Sequence, residues 1–208
     1  MELTVRAFSE MVNMPPFQQE RILIEQKYPK QGPTAFRIPY YRPALMAIAH
    51  YYRAQRNPAV LQNAVMQMST RSGGAQVRIT NNARVIGAFK ASREASRALR
   101  PTPSKTLHAS IYGVDVRLSP DLVASIGGST KIIFYNCRTT VLDPEMARLT
   151  LELSHHVLAQ NGISIPLSDL EYVDLARYAV YSFGKSRKSS TGKIRACSRV
   201  IKGLWPQI

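Results

Sequence analysis

At 208 residues, with 45% hydrophobic and 20% charged residues, the chain has the composition of a folded protein and length enough for one sizeable core, which excludes a disordered or low-complexity polymer. Its formal net charge of +15 points to a polyanionic partner, most simply DNA or RNA, with a basic solvated surface or acidic lipid headgroups as the competing explanations. No apolar run reaches the length of about 18 residues that spans a bilayer, Met1-Glu2-Leu3 opens neither a signal nor a transit peptide, and the two cysteines, Cys137 and Cys197, are too few for a disulfide framework or zinc site. No membrane partner is therefore expected, and the setting is a reducing cytoplasm, or a nucleoid or nucleus reached through nucleic-acid binding.

Pro15-Pro16 marks the start of a first helix, in which Ile22, Leu23 and Ile24 sit among good helix formers over 20–26. Pro29, Gly32, Pro33 and Pro39 then forbid a long regular element. A helix follows over 43–56, with Leu45, Ile48, Ala49 and Tyr52 at helical spacing, and Asn57-Pro58 restarts the chain into another over 58–68, carrying Val60, Leu61, Val65 and Met68. Gly73-Gly74 ends that pair. Thr80 is the expected N-cap of a third helix to about residue 99, with Val85, Ile86 and Phe89 as its apolar positions. Three basic helices in series fit either a helix-turn-helix module or a layer covering one face of a sheet, and the layer is the reading adopted. Tyr40, Tyr41, Tyr51 and Tyr52, set among arginines, suit either base stacking or packing at a core edge. Arg100-Pro101-Thr102-Pro103-Ser104 reads as a linker.

Beyond it the pattern changes period. Over 111–118, Val114, Val116 and Leu118 alternate with Asp115 and Arg117, as in a half-buried strand. Ser119-Pro120 breaks it, Asp121 opens a short strand over 122–126, and Gly127-Gly128 supplies a tight hairpin. The return strand over 131–138 carries Ile132, Ile133, Phe134 and Tyr135 without interruption, so both of its faces are expected to be covered. Asp143-Pro144-Glu145 starts a helix with an N-cap, a proline at the first helical position and an acid in the first turn. That helix places Met146, Leu149, Leu153, Val157 and Gln160 along one stripe and stops at Asn161-Gly162. His155 and His156 are adjacent, so a regular helix cannot aim both at one metal. A further strand is expected over 169–180. The fold class is α+β, a helical N-terminal part (1–100) packed on a mixed sheet of about four strands with a central helix (101–184), followed by a basic tail (185–208).

The charge is unevenly spread. From Gln26 to Arg93 there is no acidic residue, and Arg42, Arg53 and Arg56 fall inside that window. After Asp174 there is again none, while Lys185, Arg187, Lys188, Lys193, Arg195 and Arg199 are interleaved with short hydroxyl side chains that let a backbone approach phosphates. These residues are the expected nucleic-acid contacts.

The order strand, Pro-Asp, strand, glycine hairpin, apolar strand, helix, strand resembles the core of the restriction-endonuclease-like, or PD-(D/E)XK, nuclease superfamily over about residues 111–183. The resemblance implies that Asp121 of Pro120-Asp121 helps hold Mg²⁺, and that an acid and a lysine on the next strand complete a site that activates water for phosphodiester hydrolysis. Here the acid-x-lysine position falls on Asn136-Cys137-Arg138, or in another register on Phe134-Tyr135-Asn136, and neither holds a carboxylate. Asparagine brings no charge to a metal and arginine does not accept a proton. Lys131 stands at the start of the strand, and Glu20, Glu25 or Asp115 are candidates for a displaced acid. The site reading is thus Asp121, Asn136, Arg138 and Lys131 as a vestigial catalytic set, with Asp121 the one metal ligand. The reading adopted is a non-catalytic nucleic-acid-binding protein; the alternatives are a Mg²⁺-dependent nuclease with an unorthodox ligand set and an assembly protein with an acidic protein partner.

Overall fold

A computed structural model describes residues 2–28, 40–70, 76–182 and 190–208. The predicted loop residues 29–39, the Gly73-Gly74 break, and Lys185, Arg187 and Lys188 lie outside them. The chain is α+β, and its centre is the uninterrupted apolar strand. In β6 (Ser129–Asn136), Ile132 and Phe134 point to one face while Ile133 and Tyr135 point to the other, and all four are buried. A strand with apolar side chains on both faces needs a cover on each side.

On one side of β6 runs β5 (Leu122–Ile126), antiparallel to it through the Gly127-Gly128 turn. Both glycines have positive φ, 56° and 84°, the geometry of the two-residue turn that matches the right-handed twist of the strands. On the other side runs β7 (Leu170–Asp174), parallel to β6. A parallel neighbour requires a crossover, and α6 (Pro144–Gln160) supplies it. Asp143 caps α6 as expected, its Oδ1 accepting the Glu145 amide at 3.1 Å. With β2 (Arg100–Pro101) beside β5 and β8 (Ala179–Ser182) beside β7, the sheet has five strands in the order β2-β5-β6-β7-β8.

One face is covered by α3 (Arg42–Arg53), α4 (Pro58–Thr70) and α5 (Gln76–Ala91), whose Ile48, Leu61, Val85 and Phe89 form a core with Ile133, Tyr135 and Val173. The basic helices are therefore a layer on the sheet. Asn82, fully buried, ties α5 to the entry of α3: its Oδ1 accepts the Ala44 amide at 3.0 Å and its Nδ2 donates to the Tyr40 carbonyl at 3.0 Å. The other face packs on α6, on α1 (Val5–Val12) and α2 (Pro16–Lys27), and on α7 (Thr191–Leu204). A second sheet of three strands joins that core, with β4 (Val114–Leu118) between β1 (Glu2–Thr4) and β3 (Leu107–Ile111).

Several expectations are corrected. The alternation over 111–118 is not one strand: Tyr112 and Gly113, both at positive φ, turn the chain between β3 and β4. The stretch 169–180 likewise divides into β7 and β8, antiparallel across a turn containing Tyr178 at φ 55°. Thr80 lies inside α5, which runs from Gln76 to Ala91, so it is a helical position and not the cap. In place of one sheet of about four strands there are two among the described residues, of three and five: the two divided stretches add one strand each, and β1 and β2, three and two residues long, carry no readable period. Part of the predicted basic tail is the helix α7, with Ile194, Cys197 and Ile201 buried in the core.

Candidate nucleic-acid interface

Asp121 stands at the start of β5, its amide donating to the Ile133 carbonyl at 3.1 Å. Its carboxylate is turned back onto β6, where Oδ2 accepts the Tyr135 amide at 2.8 Å and the Arg6 guanidinium. Arg6 is delivered from far away in sequence. β1 runs parallel to β4 and so sets where α1 begins, and the Thr4 hydroxyl caps that helix by accepting the Ala7 amide at 3.1 Å. The Arg6 guanidinium also lies over the rings of Phe134 and Tyr172, 5.2 and 5.5 Å from their centroids. Burial works against its charge, yet the adjacent Asp121 more than compensates and holds the guanidinium above its ordinary range. A cation that is a side chain thus occupies the carboxylate that the family resemblance assigns to a metal.

The partners expected around Asp121 are otherwise engaged. Asn136 donates from Nδ2 to Asp174 Oδ1 (3.1 Å) and to the Thr140 carbonyl (2.9 Å), while its Oδ1 accepts the Arg138 amide (3.2 Å). Asp174, fully buried, also accepts the Leu142 and Ala176 amides at 2.9 and 3.0 Å, so this pair ties together the ends of the parallel strands β6 and β7. Arg138 pairs with Glu10, one helical turn beyond Arg6, at 3.2 Å. Glu10 is the acid that α1 brings to this end of the sheet, a placement that depends on β1 pairing and has no local signal. Glu25 pairs instead with Arg21 on its own helix, and Asp115 lies in β4 opposite Glu2. Arg84 of α5 reaches the same end, donating to the Cys137 carbonyl at 2.5 Å. Burial, then the Asp121 charge, pushes the Cys137 thiol up to about 12, and burial does the same to Cys197, so neither is a ready nucleophile.

Lys131 is not brought to Asp121. It lies at the opposite end of β6, on the order of 13 Å from Tyr135 at the usual strand rise, and pairs with Asp169 (2.8 Å) and Glu171 (3.1 Å). Glu171 is also clamped by Arg97, whose Nη1 donates to it at 2.6 Å and to Glu94 at 2.7 Å. These are interior ion pairs that stitch β6, β7 and the segment after α5. Among the described residues, no three of the His, Cys, Asp and Glu side chains converge in a way that could hold a metal ion.

The expected nucleic-acid contacts among the described residues divide between two faces. On α7, Arg195, Arg199 and Lys202 recur at helical spacing opposite the buried Ile194, Cys197, Ser198 and Ile201. Arg195 lies over the exposed ring of Tyr112, 5.1 Å from its centroid, so a guanidinium and an aromatic plane are presented together. Lys193 is partly neutralised, 3.3 Å from Glu145, which also receives Arg148; hydrogen bonding from Arg148 is the main cause that lowers the Glu145 carboxyl to about 2. Arg53 and Arg56 sit on the opposite layer at the C-terminal end of α3, and Arg42 at its start, about 16 Å away along the helix axis. Of the tyrosines, Tyr51 and Tyr52 are buried against Phe89, while Tyr40 is exposed. No helix among the described residues is long and apolar enough to cross a membrane. No protein-family model matches the chain, and no curated protein matches it in sequence.

Proposed function

We propose that the chain is a nucleic-acid-binding protein on a degenerate restriction-endonuclease-like core, which binds DNA or RNA without hydrolysing it. The observation that carries the non-catalytic reading is Asp121: its carboxylate accepts the Arg6 guanidinium and the Tyr135 amide instead of joining further acids at a metal. The connectivity β5, tight hairpin, β6, α6, parallel β7, with helices on both faces, supports the resemblance on which the fold reading rests. The net charge of +15 and the acid-free outer stripe of α7 support a polyphosphate ligand.

Labelled single- and double-stranded DNA and RNA, incubated with the protein in Mg²⁺, Mn²⁺ or EDTA, test both halves of the proposal on one gel. A salt-sensitive shift without cleavage, retained in Asp121→Ala, is the expected result. Metal-dependent cleavage abolished by Asp121→Ala would refute the non-catalytic reading. Absence of any shift would remove nucleic acid and leave an acidic protein partner.

A further inference from the structure

Two cavities lie side by side at the end of the five-stranded sheet away from Asp121. One, of about 650 Å³, is lined by Arg53, Gln55 and Arg56 from the end of α3 and by Leu99, Arg100 and Pro101. The other, of about 380 Å³, is lined by Arg100, Ser125, Ile126 and the Gly127-Gly128 turn. Arg100 and Ala98 border both, so the two volumes form one trough with a guanidinium at the join. The lining holds three arginines and no carboxylate. Gln55 and Arg56 turn away from α3 at positive φ, 54° and 66°, and the amides of Ala54, Gln55 and Arg56 satisfy the last carbonyls of the helix. The negative end of α3 is thereby partly closed off from the trough, leaving the arginines to set its potential.

From these features we infer that the trough binds the phosphodiester backbone of a single-stranded nucleic acid, a reading that rests on the proposed function and specifies one site for it. Each volume falls in the range of pockets that take small ligands, room for one or a few nucleotides of an extended strand. The regular charge along a phosphodiester matches the guanidinium groups of Arg53 and Arg56 at one end and of Arg100 at the join, while the Gly127-Gly128 end offers backbone and the Ser125 side chain. β5 separates the trough from Asp121: Gly127 follows its last residue and Asp121 precedes its first, a span on the order of 15–20 Å. A strand held here is therefore held away from the Asp121 end of the sheet.

The test compares wild type with Arg53→Ala/Arg100→Ala and, separately, Arg195→Ala/Arg199→Ala, reading fluorescence anisotropy of a short single-stranded oligonucleotide and of its duplex across a salt series. Arg53 and Arg100 are exposed, and neither forms an ion pair among the described residues, so the trough variant should melt like wild type. Expected is a single-strand affinity lower by about tenfold or more, a salt slope shallower by about 1.4, from two contacts at about 0.7 each, and unchanged duplex binding. Single-strand binding by wild type that the trough variant retains in full would overturn the trough and leave the broader proposal standing. No binding of any nucleic acid by wild type would overturn both. Equal displacement of the strand by a mononucleotide or by poly-glutamate would replace the phosphodiester polymer as ligand. Should the variant fail to fold, protection of the Arg53 and Arg100 guanidinium groups from phenylglyoxal by the oligonucleotide on wild type gives the same reading, and full reactivity would refute it.

Discussion

Replacing Arg6 by Ala removes the cation that Asp121 faces and tests whether this end of the sheet is held together as described. The side chain of Asp121 is 11% exposed and that of Arg6 33%, so the pair lies between a surface bridge and a fully interior one. Breaking a fully buried pair costs about 3–5 kcal/mol, chiefly because one charge is left without a partner. Partial exposure of Arg6 lowers that cost, while loss of its contacts with the Phe134 and Tyr172 rings adds about 0.5–1 kcal/mol each. The Tyr135 amide remains on the carboxylate and offsets part of the loss. The sum is about 3 kcal/mol, a large share of the roughly 5–15 kcal/mol that a domain commands, yet not enough to prevent folding. Urea unfolding followed by Trp205 fluorescence and far-ultraviolet circular dichroism measures it. Asp121→Asn keeps an acceptor for the Tyr135 amide and should cost less, about 1–2 kcal/mol. The double variant Arg6→Ala/Asp121→Ala should show a coupling of at least about 1 kcal/mol. A loss below about 1 kcal/mol in Arg6→Ala, or strictly additive losses in the cycle, would refute the pairing and return Asp121 to the pool of available metal ligands.

Asp174→Asn replaces one of the two acceptor oxygens by an amide nitrogen, which must face either the Leu142 amide or the pair of donors on Oδ1, and should destabilise by about 2–4 kcal/mol in the same unfolding assay. Asn136→Asp, which nominally restores a family acid, sets a second carboxyl beside Asp174 and should also lower the urea midpoint at neutral pH. Because Glu145 has a folded pKa below the ordinary carboxylate range, its contribution is present above that range and is lost as the pH falls toward about 2. Since Glu145 is one-third exposed, solvent screening reduces that contribution to about 1 kcal/mol. Glu145→Gln should therefore shift the urea midpoint near neutral pH and leave it unchanged near pH 2. Deleting the chain from residue 190 onward removes Ile194, Cys197 and Ile201 from the core. At about 1.5 kcal/mol or more for each, that loss should unfold the protein, read as a missing cooperative thermal transition. The reversals Arg195→Glu/Arg199→Glu should keep the fold and make the salt slope for duplex binding shallower by at least about 1.8, if duplex is the ligand.

What could be read from the chain alone was whatever short-range chemistry dictates. The Asp143-Pro144 start of α6, the Gly127-Gly128 hairpin and the two-faced burial of β6 are local facts, because caps, positive φ angles and side-chain alternation act over a few residues. The basic charge and its uneven distribution were legible for the same reason. Tertiary structure alone decided what those residues face. Arg6 and Asp121 are 115 positions apart and meet because β1, three residues long and without a period, pairs in parallel with β4. Lys131 and Asn136 look like neighbours in a motif, yet the rise of a strand puts them at opposite ends of the sheet. The basic run before the C-terminus reads as a tail of phosphate contacts, but α7 turns Ile194, Cys197 and Ile201 inward and only its other stripe outward, since burying three apolar side chains outweighs leaving the segment free. Charge and local geometry are properties of a sequence; the partner of each charge is a property of the fold.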